Sequence, residues 1–130
     1  MHLKLQPASP IPVYLQIVEQ IRHGIAVGAL KADDELPSVR SLASGNLINP
    51  NTVARAYLEL EREGFVSKRR GAGTYVSAHA AALGREHRLR LVGGLLDRAL
   101  AAAEEFGLTE QQVRALFEAR WKCGVAESER

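Results

Sequence analysis

Between Leu36 and Val76 the chain strings together LPSVRSLA, a polar turn, NPNTVARAYLELEREGF and KRRGAGTYV, and that order leaves few folds open. Pro37 and Ser38 stand where a helix begins, followed by apolar Val39, Leu42 and Ala43. Asn49 can cap a second helix, because its side-chain oxygen can accept from a first-turn amide that has no carbonyl partner. Pro50 suits the first helical position, where a missing N–H loses nothing. On that helix Val53, Tyr57 and Leu60 share one face, while Asn51, Thr52 and Arg55 point elsewhere. Two short helices joined by a tight turn, then a basic hairpin with a Gly-rich tip, describe a winged helix-turn-helix.

Upstream, Pro7, Pro10 and Pro12 discourage a helix, and Leu3 to Leu5 is expected as a short strand. The first helix is expected over residues 11–28, with Tyr14, Ile17, Val18, Ile21 and Ile25 as its buried stripe and Gly28 as its stop. Residues 31–35, KADDE, read as a polar loop. The next two helices are predicted over 38–45 and 50–63. Strands over 65–68 and 75–77 then close the wing around Gly71 and Gly73, which take positive φ cheaply.

After Ser77 the texture changes. Leu89, Leu91, Val92, Leu95, Leu96, Ala99, Leu100 and Ala103 read as one long helix, starting between His79 and Glu86 and stopping at Gly107. Thr109 followed by Gln112 has capping-box spacing and opens a last helix with Val113, Leu116, Phe117 and Trp121 on one side. The closing VAESER has little to pack and is expected to fray. A lone surface helix needs one apolar stripe, yet the long helix carries apolar residues on more than one face. A second copy is the expected cover, through Leu91, Leu95, Leu96, Ala99, Phe117 and Trp121. The expected fold class is mainly α with a small β-wing. A winged helix-turn-helix DNA-binding domain over residues 1–77 is followed by a two-helix C-terminal dimerisation segment over residues 78–130.

Charge supports this division more by position than by amount. The net charge of +2 is modest, and 46% hydrophobic with 25% charged residues is ordinary globular material. Residues 1–77 hold nine Lys or Arg against seven Asp or Glu, whereas residues 78–130 hold eight of each. The excess gathers at Lys68, Arg69 and Arg70. Such a run is either a solvated hairpin or, behind a capped helix of this kind, a contact to phosphate or the minor groove.

The pieces PVYLQIVEQI, GAL, LPSVRSLA, NPNTVARAYLELEREG and GAGTYV, in this order, resemble the DNA-binding domain of the GntR family of bacterial transcription regulators. The short tail resembles the family's compact YtrA-like branch, in which a small helical segment replaces larger effector domains. The resemblance implies a homodimeric repressor that occupies a palindromic operator and blocks polymerase. It also implies that Arg40 reaches DNA; on composition alone Arg40 is equally a surface partner for Glu35. Two positions depart from the pattern. Asn46 stands where the family has a Leu packing the second helix on the third, so Leu47 is expected to supply that contact. Asp33 stands where a Gly is typical.

The candidate DNA contacts are Ser38, Arg40, Asn49, Asn51, Thr52, Arg55, Lys68, Arg69, Arg70, Gly71 and Gly73. Each has a plainer alternative. Ser38 and Asn49 can be helix caps, although helix-start amides also bind phosphate. Asn51 can read a base or serve the cap, and Thr52 can reach a phosphate or sit in the first turn. Arg55 can pair with Glu59 at i,i+4 spacing, or present its fork to guanine N7 and O6.

Other classes find less support. His2, His23, His79 and His87 lack metal-ligand spacing, Cys123 beside Trp121 reads as packing, and GAGTYV joins two strands where a nucleotide loop opens a helix. No enzyme, metal or cofactor is expected. A single cysteine and the absence of a signal-peptide core or long apolar run suit a cytoplasmic protein that does not enter membranes. A small-molecule effector is compatible with the sequence but not indicated by it. The competing readings are a winged-helix protein-interaction module without specific DNA binding, and a piece of a larger sensor or enzyme.

Overall fold

Pro12 fixes where the first helix can begin: its carbonyl accepts from the amides of Leu15 and Gln16, and α1 spans Val13–Ala26. The computed structural model describes residues 1–69 and 71–128, with side chains through Gly124. The elements that follow are α2 (Val39–Asn46), α3 (Pro50–Arg62), β1 (Val66–Arg69), β2 (Gly73–Val76), α4 (Ala80–Glu105) and α5 (Glu110–Ser128). The chain divides into two compact units, Met1–Leu89 and Arg90–Arg130.

In the first unit, α1 buries Ile17, Val18, Ile21 and Ile25, with Tyr14 half-buried at the edge of the same core. Val53, Ala56, Tyr57 and Leu60 of α3 meet them, and α2 adds Leu42 and Ala43. Each fully buried side chain of this size contributes roughly 1.5–3 kcal/mol, so the three helices hold together through one shared core. Phe65, Val66 and Val76 carry that core into the wing, where β1 and β2 pair antiparallel from Val66↔Val76 to Arg69↔Gly73.

The segment read as a polar loop adds to the wing. Asp33 N–H donates to the Val76 carbonyl at 2.9 Å, Val76 N–H to Asp34 at 2.8 Å, and Leu36 N–H to Thr74 at 2.9 Å. The Glu35↔Tyr75 bridge makes this stretch a third, irregular edge of the sheet. Asp33 takes φ +69°, a left-handed conformation that Asp tolerates better than most residues, which explains why it can stand where a Gly is typical.

No strand forms over residues 3–5. Side chains bind the N-terminal arm instead. Gln20 of α1 accepts from Lys4 N–H at 2.8 Å and donates to its carbonyl at 2.7 Å. Gln16 does the same for Gln6, at 2.8 and 3.0 Å. A helix thus plays the partner strand, with amide side chains replacing backbone groups. Leu3, just before these contacts, is buried.

Asn46 completes this arrangement. Its Oδ1 accepts from Leu3 N–H at 3.0 Å, and its Nδ2 donates to the Leu42 carbonyl at 3.0 Å. Leu47 supplies no contact in its stead: it is the left-handed C-cap of α2 and stands 93% exposed. Ile48, the next residue, packs against the core.

The first compact unit runs on to Leu89. Ala80 is buried in the core, and the Arg88 guanidinium donates to the Ala26 carbonyl at 3.0 Å. A Cβ on Gly84 would come within 3.2 Å of both Ala26 Cα and the Ile25 carbonyl oxygen, so α4 approaches α1 as closely as backbone allows. The opening turns of α4 therefore belong to this unit.

In the second unit, the rest of α4 turns at Gly107 into α5. Leu108 N–H donates back to the Ala103 carbonyl at 2.8 Å, and the capping box forms as expected. Thr109 N–H donates to Gln112 Oε1 at 2.9 Å, and Gln112 N–H to Thr109 Oγ1 at 3.2 Å. Helix α5 continues to Ser128, past the point where fraying was expected. Among the described side chains of this unit, Ala103 alone is buried.

Candidate nucleic-acid interface

The helix-turn-helix is set by its caps and one buried hydroxyl. Ser38 Oγ accepts from Ser41 N–H at 3.0 Å, and Asn49 Oδ1 accepts from Asn51 N–H at 2.8 Å. Both residues therefore act as caps, each satisfying a first-turn amide. Tyr57 reaches from α3 to the residue before α2, its hydroxyl donating to the Pro37 carbonyl at 2.7 Å. Burial pushes the Tyr57 phenol up to about 12.

With one face of α3 spent on the core, the other is open. Asn51 and Arg55 are exposed and Thr52 is half-buried. Together with Val13 and Tyr14 of α1 they line a shallow depression of about 290 Å³. Arg55 does not pair with Glu59, which bonds Arg62 at 3.3 Å. Its guanidinium lies 3.9 Å over the centre of the Tyr14 ring. Arg40 is exposed in the first turn of α2, and no ion pair with Glu35 forms among the described residues.

The wing presents its charges in partnership. Lys68 Nζ lies 3.8 Å from Glu61, while Arg69 bonds the Asp33 carboxylate and stacks 4.1 Å over the Tyr75 ring. Exposed pairs of this kind are worth about 0–1 kcal/mol, so exchange for a phosphate is cheap. Gly71 and Gly73 are exposed at the tip with φ of +71° and +96°. Arg70 lies outside the described residues.

Behind α3 sits a polar cluster that sequence reading passed over. Arg22 of α1 donates to Glu63 at 2.9 Å and also bonds Glu19. Burial opposes its charge, but the hydrogen bonds it donates to Glu63 and Glu19 outweigh this and raise its pKa. His87 of α4 is buried beside the cluster, 3.6 Å from Glu19 and edge-on to Phe65 at 6.3 Å.

This geometry has close counterparts. The family model described as bacterial regulatory proteins, gntR family, matches residues 13–76. The HTH-type transcriptional repressor YtrA of Bacillus subtilis (strain 168) is 39% identical over 106 residues, which is 82% of this chain and 82% of YtrA. The chain belongs to the gntR family. A crystal structure of a transcriptional regulator from Oenococcus oeni is similar over 90% of this chain and 97% of that one, with 32% identity and a TM-score of 0.81. The AraR DBD in complex with operator ORX1 is 27% identical with a TM-score of 0.52, covering 59% of this chain and 99% of its own length.

The protein is thus a winged helix-turn-helix DNA-binding regulator of the gntR family, related to its YtrA-like branch. Among the described residues no cluster of three or more His, Cys, Asp or Glu is placed to hold a metal ion, and no helix is long and apolar enough to cross a membrane. Cys123, expected to pack beside Trp121, is exposed instead. Trp121 stacks on Phe117 at 5.8 Å between ring centres and stays 63% exposed. Leu91, Leu95, Leu96 and Ala99 are exposed as well.

The Tyr14–Arg55 stack and the Asp33–Arg69 pair were missed by sequence reading. Each joins residues far apart in the chain. The available signal was an aromatic in the first turn of α1, assigned wholly to the core, and an acid in place of a glycine near a basic wing.

Proposed function

We propose that this gntR-family regulator is a homodimeric repressor that reads a palindromic operator through α3 and the wing. The observation that carries the reading is the division of α3. Val53, Ala56, Tyr57 and Leu60 are buried, while Asn51, Thr52 and Arg55 gather around one open depression. A helix anchored on one side with donors on the other is suited to the major groove. Arg55 is assigned to a base, Thr52 and Arg40 to phosphates or bases nearby, and Lys68, Arg69, Arg70, Gly71 and Gly73 to the backbone or minor groove. Ser38 and Asn49 act through the helix starts they cap.

The second unit supports dimerisation. Among its described residues Ala103 alone is buried, and the exposed Leu91, Leu95, Leu96, Phe117 and Trp121 call for a cover. An apolar groove of about 430 Å³ between α4 and α5, lined by Leu96, Leu100, Phe106 and Phe117, takes a partner's helices in this reading rather than an effector. The AraR DBD binds an operator in its complex, and YtrA is a repressor; both favour the same role here.

The test is a titration of duplex DNA at several salt concentrations. Phosphate contacts release counterions, so log affinity should fall linearly with log salt, with a slope near −0.9 per phosphate neutralised. A protein-interaction module would show almost no slope and no preference for a selected operator over scrambled DNA.

A further inference from the structure

Arg55 has an aromatic partner that lies outside the helix-turn-helix. Tyr14 stands in the first turn of α1, half-buried against the core to which α1 contributes Ile17 and Val18. Its ring is therefore a fixed platform, and the Arg55 guanidinium lies 3.9 Å above its centre. Stacking occupies the flat face of a guanidinium and leaves its in-plane N–H donors free. Among the described residues no carboxylate pairs with Arg55, since Glu59 is taken by Arg62. The fork is thus held in place without being spent.

We infer that Tyr14 is a positioning residue for Arg55, fixing the guanidinium before DNA arrives and so setting the base preference where Arg55 meets the operator. This rests on the reading of Arg55 as a base contact. An arginine loses considerable rotamer freedom on binding, and a platform that removes part of that freedom beforehand strengthens the bound state. The depression shared by Tyr14, Asn51, Thr52 and Arg55 is where the base edge would enter.

The test begins with an operator selected by the unaltered chain from a randomised duplex pool. Affinities for that duplex and for a scrambled one are measured for Tyr14→Leu, Tyr14→Phe, Arg55→Ala and the double variant, with melting temperatures alongside. Tyr14→Leu should weaken operator binding about two- to fivefold, the range for an exposed cation–π contact, and leave scrambled DNA unaffected. It should relax preference at the position that Arg55→Ala relaxes. Tyr14→Phe keeps the ring and should behave as the unaltered chain, and Tyr14→Leu should add nothing once Arg55 is Ala. Equal loss on both duplexes, or a full additional loss in the Arg55→Ala background, would overturn the inference. If Arg55→Ala loses specificity while Tyr14→Leu does not, Tyr14's role falls and the base contact stands. If Arg55→Ala changes nothing, the base contact itself falls. Without any variant, upfield ring-current shifts of the Arg55 side-chain protons report the stack, and their absence would contradict it.

Discussion

The Tyr57 hydroxyl donates to the Pro37 carbonyl at 2.7 Å, tying the middle of α3 to the residue that precedes α2. One hydrogen bond thereby fixes how the two helices of the motif face each other. Tyr57→Phe keeps the ring in the core but leaves the carbonyl without this donor, and should lower stability by about 1 kcal/mol. The pH dependence is also defined. Burial raises the Tyr57 phenol to about 12 against an ordinary value near 10, so the folded state holds the proton more tightly. Its contribution is complete below pH 10 and is lost as pH rises from about 10 through 12. Denaturant melts across that window should show a steeper decline for the unaltered chain than for Tyr57→Phe.

Asn46, standing where the family has a Leu, is neither unpaired nor a left-handed cap. It ends α2 in helical conformation and binds the arm through Leu3 N–H, while Leu47 takes the left-handed position. Asn46→Leu should therefore destabilise the fold by about 1–2 kcal/mol. Leu47→Gly should stabilise it by roughly 1 kcal/mol, since an exposed Leu at φ +53° loses nothing but strain. Melting temperatures of the two variants should move in opposite directions.

Local chemistry made most of the fold legible. The α1 stripe, the Ser38 and Asn49 caps and the Thr109–Gln112 box each depend on residues within a turn or two, and all are as expected. Contacts between distant residues were not legible. Gln16 and Gln20 show i,i+4 spacing beside the stripe, but nothing in that spacing says that they grip a strand-like arm. The candidate site divides the same way: its exposed helix face follows from periodicity, whereas the partners of Arg55 and Arg69 depend on how α1 and the 31–35 segment fold back.

The Asp33–Arg69 pair makes a testable point about the wing. Asp33 combines a left-handed φ of +69° with a carboxylate bound to a basic residue assigned to DNA. Asp33→Gly would relieve the backbone, release Arg69 and remove a negative charge near phosphate. Affinity for operator and scrambled duplex should both rise by a few-fold, in line with a surface pair worth about 0–1 kcal/mol. Filter-binding or anisotropy titrations would measure this; unchanged affinity would mean that Arg69 does not reach DNA.

The tail should make the dimer, and the dimer the affinity. A chain ending at Leu89 keeps Gly84 and His87, which are buried in the first unit, and loses the rest of α4 together with α5. It should fold, sediment as a monomer, and bind operator on the order of 100-fold more weakly than the full chain, because the second half-site contact no longer gains from effective concentration. Equal binding by the shortened chain would remove the dimer from the account.

The most direct measurement is operator selection by the full chain and by Arg55→Ala, followed by titration on selected and random duplexes. The expected result is a loss of about 1–3 kcal/mol on the selected operator, with preference relaxed at two positions related by the operator's two-fold symmetry. Random duplex should be bound nearly as before. Equal loss on both duplexes would make Arg55 a phosphate contact, and no loss on either would contradict the assignment of α3 to the groove.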